Sequence, residues 1–449
     1  MNKNHHRLVF NAARGCIMAV AETVSGCCKG AGAAVAKSAA GAVQAAAALT
    51  VGLGVLPSAL VQAQIVADPG APAGQRPTVL TTPNGAPLVN IQTPSAAGVS
   101  RNTYQQFDVN AQGAVLNNSR QNTQTQLGGW VQGNPWLARG EARVILNEVN
   151  STNPSQLKGF VEVAGQRAEV IIANPAGIHV DGAGFINASR ATLTTGVPQF
   201  NNGSLDAFRV QRGTIRIDGA GLDAGYTDYT GILARAIEVN ARVHAKDLTL
   251  ITGDNTVAID QSQVLASSTP GGGEAPVLAL DVSQLGGMYA GKITFIGTEA
   301  GVGVRHHGTL SASAGDVSIS SGGWLSSAGV IESQRGSVSA QTAQAQHLSG
   351  SVTAAGNISL NAGSTEQAQS IDSSARVRAG LEARIRASEL NNSGGIDAQR
   401  LDVAVARLSN SGDIWQSGGQ ALQVQAQTLR NASGAANCAA NWPSGPCQR

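Results

Sequence analysis

Short apolar runs alternate with polar turns along most of the chain. After residue 64, runs of three to six residues rich in Val, Ile, Leu and Thr are separated by turns rich in Asn, Gly, Asp and Ser; residues 143–146, 169–173 and 292–296 are examples. Apolar positions at helical spacing are nearly absent. This pattern predicts an all-β chain.

The distal third contains a loose repeat that predicts how the strands are arranged. Units of the form Leu-x-Asn-Ser/Ala begin at Leu390, Leu408 and Leu429, and a similar pair begins at Leu325 and Leu348. A period of about 20 residues is typical of β-solenoids, whose coils stack at about 4.8 Å. At that period the residues after residue 63 would form about 19 coils. A sandwich array is the competing all-β architecture.

The N-terminus has the features of a targeting segment. Residues 39–61 are almost entirely apolar or small, and Val61 and Ala63 suit the positions that signal peptidase reads. We therefore expect cleavage between Ala63 and Gln64. A membrane anchor is the alternative, because the apolar stretch is long enough to span a bilayer. The prolines that recur over residues 69–94 predict an irregular N-terminal cap, since Pro cannot sit in a central ladder.

Charge and cysteine content narrow the function. The chain carries 30 Lys and Arg against 28 Asp and Glu. We expect no nucleic-acid partner, because that binding needs a strongly basic face. All five cysteines lie near the two ends, so disulfides cannot lock the body of the chain in an oxidising periplasm. Cys438 and Cys447 are a candidate disulfide.

No pattern of reactive side chains indicates a catalytic or metal site. The seven His are scattered, and His306 and His307 would face opposite sides of a strand, which makes them a poor chelating pair. We expect no metal, no cofactor and no enzymatic activity. Asp218, Asp223 and Asp228 recur at steps of five residues and keep a secreted polysaccharide-active enzyme as the alternative, because β-solenoids also host such enzymes.

Motifs in the first half resemble one protein family. Residues 98–104, 107–109 and 184–196 are similar to parts of the two-partner secretion domain of filamentous haemagglutinin-like proteins. An Asn-rich motif and an Asn-Pro-x-Gly-Ile motif add to this resemblance. The family often has Asn at the third place of the second motif, where this chain has Ala. The residues of the two motifs are Asn117, Asn118 and Ser119, and Asn174, Pro175, Ala176, Gly177 and Ile178.

The resemblance implies a right-handed parallel β-helix and an exoprotein of a Gram-negative cell. Such a protein passes through the periplasm and crosses the outer membrane by a dedicated Omp85-type pore, to be secreted or held on the cell surface. The family includes adhesins and effectors of contact-dependent growth inhibition, so we expect an adhesin or the stalk of an inhibition system. A host or neighbour-cell receptor and a monomeric state are further expectations, and an autotransporter passenger is a second alternative.

The same resemblance suggests a division of the chain. Residues 1–63 are interpreted as an extended signal peptide and residues 64–305 as the two-partner secretion (haemagglutination activity) domain. Residues 306–437 are interpreted as a β-helix repeat stem and residues 438–449 as a short Cys-containing tail. No toxin-like segment precedes Arg449. We therefore expect a short member of the family, a truncated reading frame or a fragment.

Overall fold

The structure is a computed structural model that describes residues 6–11, 16–21, 65–267, 274–363, 367 and 369–439. It divides the chain into two units, Met1–Ala59 and Leu60–Arg449. In the first unit, strand β1 (His6–Asn11) pairs antiparallel with β2 (Cys16–Ala21). The described residues of the second unit form the remaining strands and two short 3-10 helices, at Ala73–Gln75 and Pro135–Leu137. In the described part of the chain, no helix has the length and apolarity for a membrane crossing.

The strands before residue 268 are β3 (Ile65–Ala67), β4 (Thr78–Thr81), β5 (Pro87–Asn90), β6 (Val99–Phe107), β7 (Ala114–Asn118), β8 (Thr123–Thr125), β9 (Gly129–Val131), β10 (Val144–Val149), β11 (Ser155–Leu157), β12 (Phe160–Gly165), β13 (Ala168–Ala173), β14 (Ile178–Val180), β15 (Ala183–Ile186), β16 (Ala188–Thr194), β17 (Val197–Asn201), β18 (Ser204–Val210), β19 (Thr214–Ile217), β20 (Leu222–Ala224), β21 (Tyr229–Ala234), β22 (Ala236–Val239), β23 (Arg242–Ala245), β24 (Asp247–Thr252), β25 (Asn255–Ala258) and β26 (Val264–Ala266).

The later strands are β27 (Leu278–Val282), β28 (Gly287–Ala290), β29 (Lys292–Gly297), β30 (Gly303–His306), β31 (Thr309–Ala312), β32 (Val317–Ser321), β33 (Leu325–Ser327), β34 (Val330–Ser333), β35 (Val338–Thr342), β36 (Gln346–Leu348), β37 (Ser351–Ala354), β38 (Ile358–Ala362), β39 (Ser370–Ser373), β40 (Arg376–Ala379), β41 (Glu382–Asn392), β42 (Gly395–Ala398), β43 (Arg400–Asn410), β44 (Asp413–Gln416), β45 (Gln423–Asn431) and β46 (Ala436–Ala439).

Most of these strands form three parallel stacks, so that each coil contributes one strand to each of three faces. Face A contains β6, β10, β13, β16, β21, β24, β29, β32, β35 and β38, face B contains β11, β14, β19, β22, β27, β30, β33, β36 and β39, and β41, β43 and β45 run through both. Face C contains β5, β7, β12, β15, β20, β23, β28, β31, β34, β37, β40, β42, β44 and β46. The predicted all-β parallel β-helix is confirmed as a solenoid of about 13 turns.

One aliphatic core fills the interior of the solenoid. Successive side chains of a strand point to opposite sides, so the inward residue of each strand stacks on the inward residue of the next. Val377, Ile396 and Ile414 are such a column in face C, and each is at most 1% exposed. The same stacking runs through the other faces, so each coil buries its core against its neighbours.

The N-terminal end of the solenoid is capped by antiparallel strands. Strand β3 pairs antiparallel with β6, and β4 pairs antiparallel with β5 at the start of face C. Pro87 begins β5, and Pro83 and Pro94 fall outside the strands, as expected for residues that cannot donate to a ladder. The predicted cap is therefore present.

Two additions cover the outer surface of the proximal coils. The antiparallel sheet β17-β18-β25-β26 packs on face A, where Phe208 and Val257 join Leu146 and Ile171 in a second apolar cluster. The β8–β9 hairpin packs on face C through Val131. These excursions lengthen the proximal coils. Val99 stacks on Val144, 45 residues later, whereas in the distal part Val317 stacks on Val338, only 21 residues later. The longer coils explain why there are fewer than the expected 19.

The repeat in the distal third is in register with the coils, with one exception. Leu390, Leu408 and Leu429 stack on one another in face B, as their spacing predicts. The pairing of Leu325 with Leu348 is wrong, because Leu325 stacks on Gln346 and Leu348 stacks on Ser327. Buried Gln346 fits the inward position because its amide Nε2 donates to the carbonyls of residues 340 (3.1 Å) and 361 (2.7 Å).

Candidate functional site

The Asn-rich motif lies where strand β7 leaves face C. Asn117 and Asn118 have no exposed surface, and Ser119 is 8% exposed. The Asn117 amide donates through Nδ2 to Asn90 Oδ1 (2.8 Å) and to the carbonyl of Gln132 (2.8 Å). It thereby joins the preceding coil to the segment that follows the β8–β9 hairpin.

Asn118 makes a second set of bonds at the same corner. Its Nδ2 donates to the carbonyls of Ala142 and Gln166, both at 2.9 Å, and its Oδ1 accepts from the Ala142 amide at 2.7 Å. Residue 142 precedes β10 and residue 166 precedes β13. One side chain therefore joins the segments that lead into two consecutive strands of face A. Ser119 Oγ donates to the Gln121 carbonyl (2.7 Å) and starts the excursion toward the hairpin.

The Asn-Pro motif forms a tight turn between faces A and B. Asn174 is fully buried, its Oδ1 accepts from the Ala176 amide (2.9 Å), and the Gly177 amide donates to its carbonyl (3.0 Å). Asn174 Nδ2 donates to the Asn153 carbonyl and to Ser155 Oγ, both at 3.0 Å, which fastens this corner to the corner before it. Side chains that bond nearby backbone groups in this way fix turns.

Gly177 is required at its position in this turn. Its φ of +121° lies in the left-handed region that favours glycine. A Cβ there would also stand 3.0 Å from the carbonyl oxygen of Thr214. Pro175 and Ala176 are half-buried, whereas Ile178 points into the core and is 1% exposed.

The two motifs lie at different corners, and the structure does not bring them together into one cluster. The amide groups of Asn117, Asn118 and Asn174 are used inside the protein, so each of them holds a bend of the backbone. Only the half-buried edge at Pro175 and Ala176 faces outward.

A polar groove that the sequence did not reveal runs beside the Asn-Pro turn. It encloses about 410 Å³ and is lined by Ala176 together with outward side chains of face B. His179 bridges Gln156 (3.0 Å from Nδ1) and Asp218 (2.9 Å from Nε2), and Arg216 pairs with Glu238 at 2.7 Å. These residues are far apart in sequence, so only the coil register could have identified them.

The three aspartates that kept a polysaccharide-active enzyme as an alternative do not lie together in the structure. Asp218 follows β19 of face B, Asp223 lies in β20 of face C, and Asp228 precedes β21 of face A. Asp228 pairs with Arg167 (2.9 Å) and Lys246 (3.3 Å), and these bonds lower the pKa of its carboxyl. The three carboxylates therefore do not form the paired acid and base that glycoside cleavage needs.

Burial strongly shifts the pKa values of His306 and Glu169. Burial lowers the pKa of His306 to about 4, with a smaller contribution from the neighbouring His307. Burial raises the pKa of Glu169 to about 7, against the opposing influence of Arg190. His306 lies inside face B and Glu169 lies at a bulge of face A, so neither belongs to the two motifs. Among the residues that the structure describes, no group of three His, Cys, Asp or Glu side chains could hold a metal ion.

Two predicted sites lie wholly or partly outside the described residues. The proposed cleavage site at Ala63 and Gln64 lies outside the described residues, and so does Cys447. Cys438 lies in strand β46, of which only the backbone is described. The cleavage and the disulfide remain predictions.

Family comparison decides what this solenoid is. Residues 63–327, more than half of the chain, match the family "TPS secretion domain", where TPS stands for two-partner secretion. The chain belongs to that family. Residues 1–51 match the "Extended Signal Peptide of Type V secretion system", as predicted for the segment ahead of the apolar run. The two matches indicate export across the outer membrane, to the cell surface or the medium.

Similar proteins extend the comparison beyond the secretion domain. The chain is 51% identical to "Toxin CdiA" of Yersinia pestis over 342 residues, which cover 74% of this chain and 10% of that protein. It is 47% identical to "tRNA nuclease CdiA-2" of Burkholderia pseudomallei strain 1026b over 339 residues, which cover 72% of this chain and 10% of that protein. The chain therefore spans about a tenth of the length of these curated relatives.

A solved structure agrees with the fold. The secretion domain of filamentous hemagglutinin is 28% identical, with a TM-score of 0.50, and the match covers 82% of this chain and 99% of that one. The resemblance noted in the sequence to filamentous haemagglutinin-like proteins is confirmed.

The relatives correct one expectation. The prediction that the protein has no enzymatic activity is wrong, because a relative that is 47% identical is named a tRNA nuclease. The match with such relatives covers their N-terminal region and leaves out the C-terminal toxin. The composition of residues 64–437 therefore gave no basis for a conclusion about the activity of the family.

Proposed function

We propose that this chain is the N-terminal export region of a contact-dependent inhibition exoprotein. The observation that carries the proposal is the coincidence of the TPS match, residues 63–327, with the coils that bear the β8–β9 hairpin and the β17-β18-β25-β26 sheet. These additions distinguish the proximal coils from the plain coils that follow. An Omp85-type outer-membrane pore is the partner, and it recognises this decorated region in the periplasm.

In this proposal the two halves of the solenoid have different tasks. Residues 64–305 carry the signal for the pore, and residues 306–437 are a stem that adds length beyond the cell surface. Asn117, Asn118 and Asn174 act by fixing the corners at which the decorated coils turn. Any nuclease activity belongs to parts of such proteins outside the matched tenth. Because the solenoid buries its own core, the exported chain is a monomer that presents later segments to a neighbouring cell.

Secretion with and without a pore tests this proposal. The full chain is expressed in a Gram-negative host alone or with the two-partner pore of a related system, and the culture medium is assayed for the chain. We expect release only with the pore. We also expect Asn174→Ala to reduce release strongly, because the substitution removes the donor to Asn153 and Ser155 and the acceptor for the Ala176 amide. Release without any pore would contradict the proposal.

Asn392→Ala is the matched control. Asn392 is 1% exposed and hydrogen-bonded at a corner, like Asn174, but it lies outside residues 63–327. Loss of a buried hydrogen bond costs each variant about 1 to 3 kcal/mol of folding free energy. If both variants are equally destabilised and only Asn174→Ala fails to be released, the corner serves recognition. Equal release of the two variants would contradict a special role for the motif.

A further inference from the structure

On the outer surface of face C, the distal coils contain a hollow at Gly395. The outward column that passes through it is Ser351, Arg376, Gly395 and Asp413, each the direct partner of the next in register. The hollow encloses about 370 Å³. Because the coils stack at about 4.8 Å, the Cα atoms of Arg376 and Asp413 are about 10 Å apart on the two sides of the glycine.

The backbone does not require glycine at this position. A Cβ at Gly395 would have no atom within 4 Å, and its φ lies outside the left-handed region. The preceding Gly394 is different, since a Cβ there would stand 2.1 Å from the carbonyl oxygen of Ala375. Gly394 is thus needed for the corner, whereas Gly395 leaves open a space that any side chain could fill.

Of the charged groups around the hollow, two form an ion pair and two do not. Arg378 and Asp397, two residues further along the same strands, form an ion pair at 3.6 Å. Within the described part of the chain, the exposed Arg376 guanidinium and Asp413 carboxylate have no hydrogen-bond or ion-pair partner. They are not paired with each other across the glycine, so a ligand seated on Gly395 would lie between one strong donor and one strong acceptor.

An aromatic ring forms the remaining side of the hollow. Trp415 stacks in register on Asp397 and is 42% exposed, so a large part of its indole is available. An indole ring offers an apolar face with a single donor at its edge. The hollow therefore combines an apolar plane, a donor and an acceptor, and the lining carboxylate of Asp397 is neutralised by Arg378 beside the hollow.

We propose that this hollow binds a pyranose unit of an uncharged linear polysaccharide. A pyranose has an apolar face of C–H groups that fits an indole ring, and its hydroxyl rim both accepts from Arg376 and donates to Asp413. The hollow is open and shallow on the side of a rod, so a chain that continues past it in both directions fits better than an enclosed small molecule. This inference does not depend on the pore partner.

Filling the hollow tests the proposal. The purified full chain is titrated with fluorescent chitin hexasaccharide and maltohexaose as uncharged probes, and with alginate as a polyanion. We expect at least one uncharged probe to bind, and Gly395→Tyr and Trp415→Ala each to weaken that binding by about tenfold or more. The fold is checked by circular dichroism and thermal unfolding.

Thr309→Tyr is the matched control, because it adds the same ring to the same outward column four coils before Gly395. This variant should bind like the wild type, and Trp415→Phe should retain part of the binding. The proposal is overturned if neither uncharged probe binds, if Gly395→Tyr leaves binding unchanged, or if only alginate binds, since the last result would indicate general attraction to arginine.

Discussion

At the residue scale, one column of inward side chains in face B contains both apolar and polar residues. The aligned positions in successive coils are Val282, His306, Ser327 and Leu348. His306 is fully buried, and its Nδ1 lies 2.9 Å from Ser327 Oγ. Its Nε2 is buried without a partner among the described residues. A protonated ring would place a charge in this apolar interior, which explains the low pKa of His306.

The contribution of His306 to the stability of the solenoid should therefore fall in mildly acidic solution, whereas the contribution of Glu169, a carboxyl whose pKa is raised, should rise over a similar range. The pKa of His306 is about 4 in the folded chain, against its ordinary value of 6.5 in the unfolded chain. Between these values the unfolded chain binds a proton that the folded chain excludes at His306, so the contribution of His306 to the free energy of unfolding decreases as pH falls from 6.5 to 4 and is constant above 6.5. This group accounts for about 3 kcal/mol of the loss at pH 4.

Chemical denaturation of two variants at pH 7.5 and pH 4.5 checks this prediction. In His306→Gln the extra loss between the two pH values should disappear, because glutamine does not titrate. His244→Gln is the control, since His244 is exposed on face C. An equal pH dependence in the wild type and His306→Gln would show that His306 is not the responsible group.

At the element scale, strand register was predictable only where coils repeat without insertions. The distal units could be aligned from sequence because β41 and β43 each continue from face A into face B, so Leu390 and Leu408 recur in nearly identical surroundings. Leu325 and Leu348 could not, because Gln346 occupies the inward position that a leucine spacing would assign to Leu348. A buried glutamine whose amide Nε2 is hydrogen-bonded can occupy an inward position that its polar character in the sequence does not predict.

The antiparallel sheet β17-β18-β25-β26 should unfold separately from the coils beneath it. Phe208 is 1% exposed in the cluster between this sheet and face A, whereas Phe295 is 2% exposed inside the solenoid. Phe208→Ala should cost about 3 kcal/mol locally and increase amide hydrogen exchange in the four strands of that sheet. Exchange in β32 to β40 should not change.

Phe295→Ala provides the comparison for this element. Its cavity lies between stacked coils, so protection should fall in the neighbouring strands of all three faces, as expected when each coil is stabilised by the next. Loss of protection throughout the chain in Phe208→Ala would mean that the added sheet and the solenoid fold as one cooperative unit.

At the scale of the whole molecule, the fold class followed from the sequence and the arrangement of the site did not. Small apolar residues, polar turns and the distal period were sufficient for a parallel solenoid. The number of coils was overestimated because hairpins and a sheet are inserted into the proximal half, and an insertion interrupts periodicity without changing composition. The groove at His179 and the hollow at Gly395 depend on residues about 20 positions or more apart, which register alone brings together.

The position of the cysteines leads to a prediction about export of the whole chain. From Cys28 to Cys438 the sequence has no cysteine, so nothing in the body can form a disulfide in the periplasm before the chain enters a pore. Ser318 and Ser339 are direct partners in adjacent coils, with their Oγ atoms 3.2 Å apart, which is close enough for a bridge of ordinary geometry. Ser318→Cys with Ser339→Cys should thus create a closed loop that a narrow pore cannot pass as an extended chain.

We expect pore-dependent release of this double variant to fall sharply in oxidising medium and to recover when dithiothreitol is added. Each single cysteine variant should be released like the wild type, since one thiol closes no loop. The reduced and oxidised forms separate on non-reducing gels, so the fraction bridged in the periplasm can be measured beside the fraction released. Full release of the bridged form would mean that coils cross the membrane already folded. Its retention would mean that the solenoid assembles outside the cell, where the stacking of each new coil on the last opposes return through the pore.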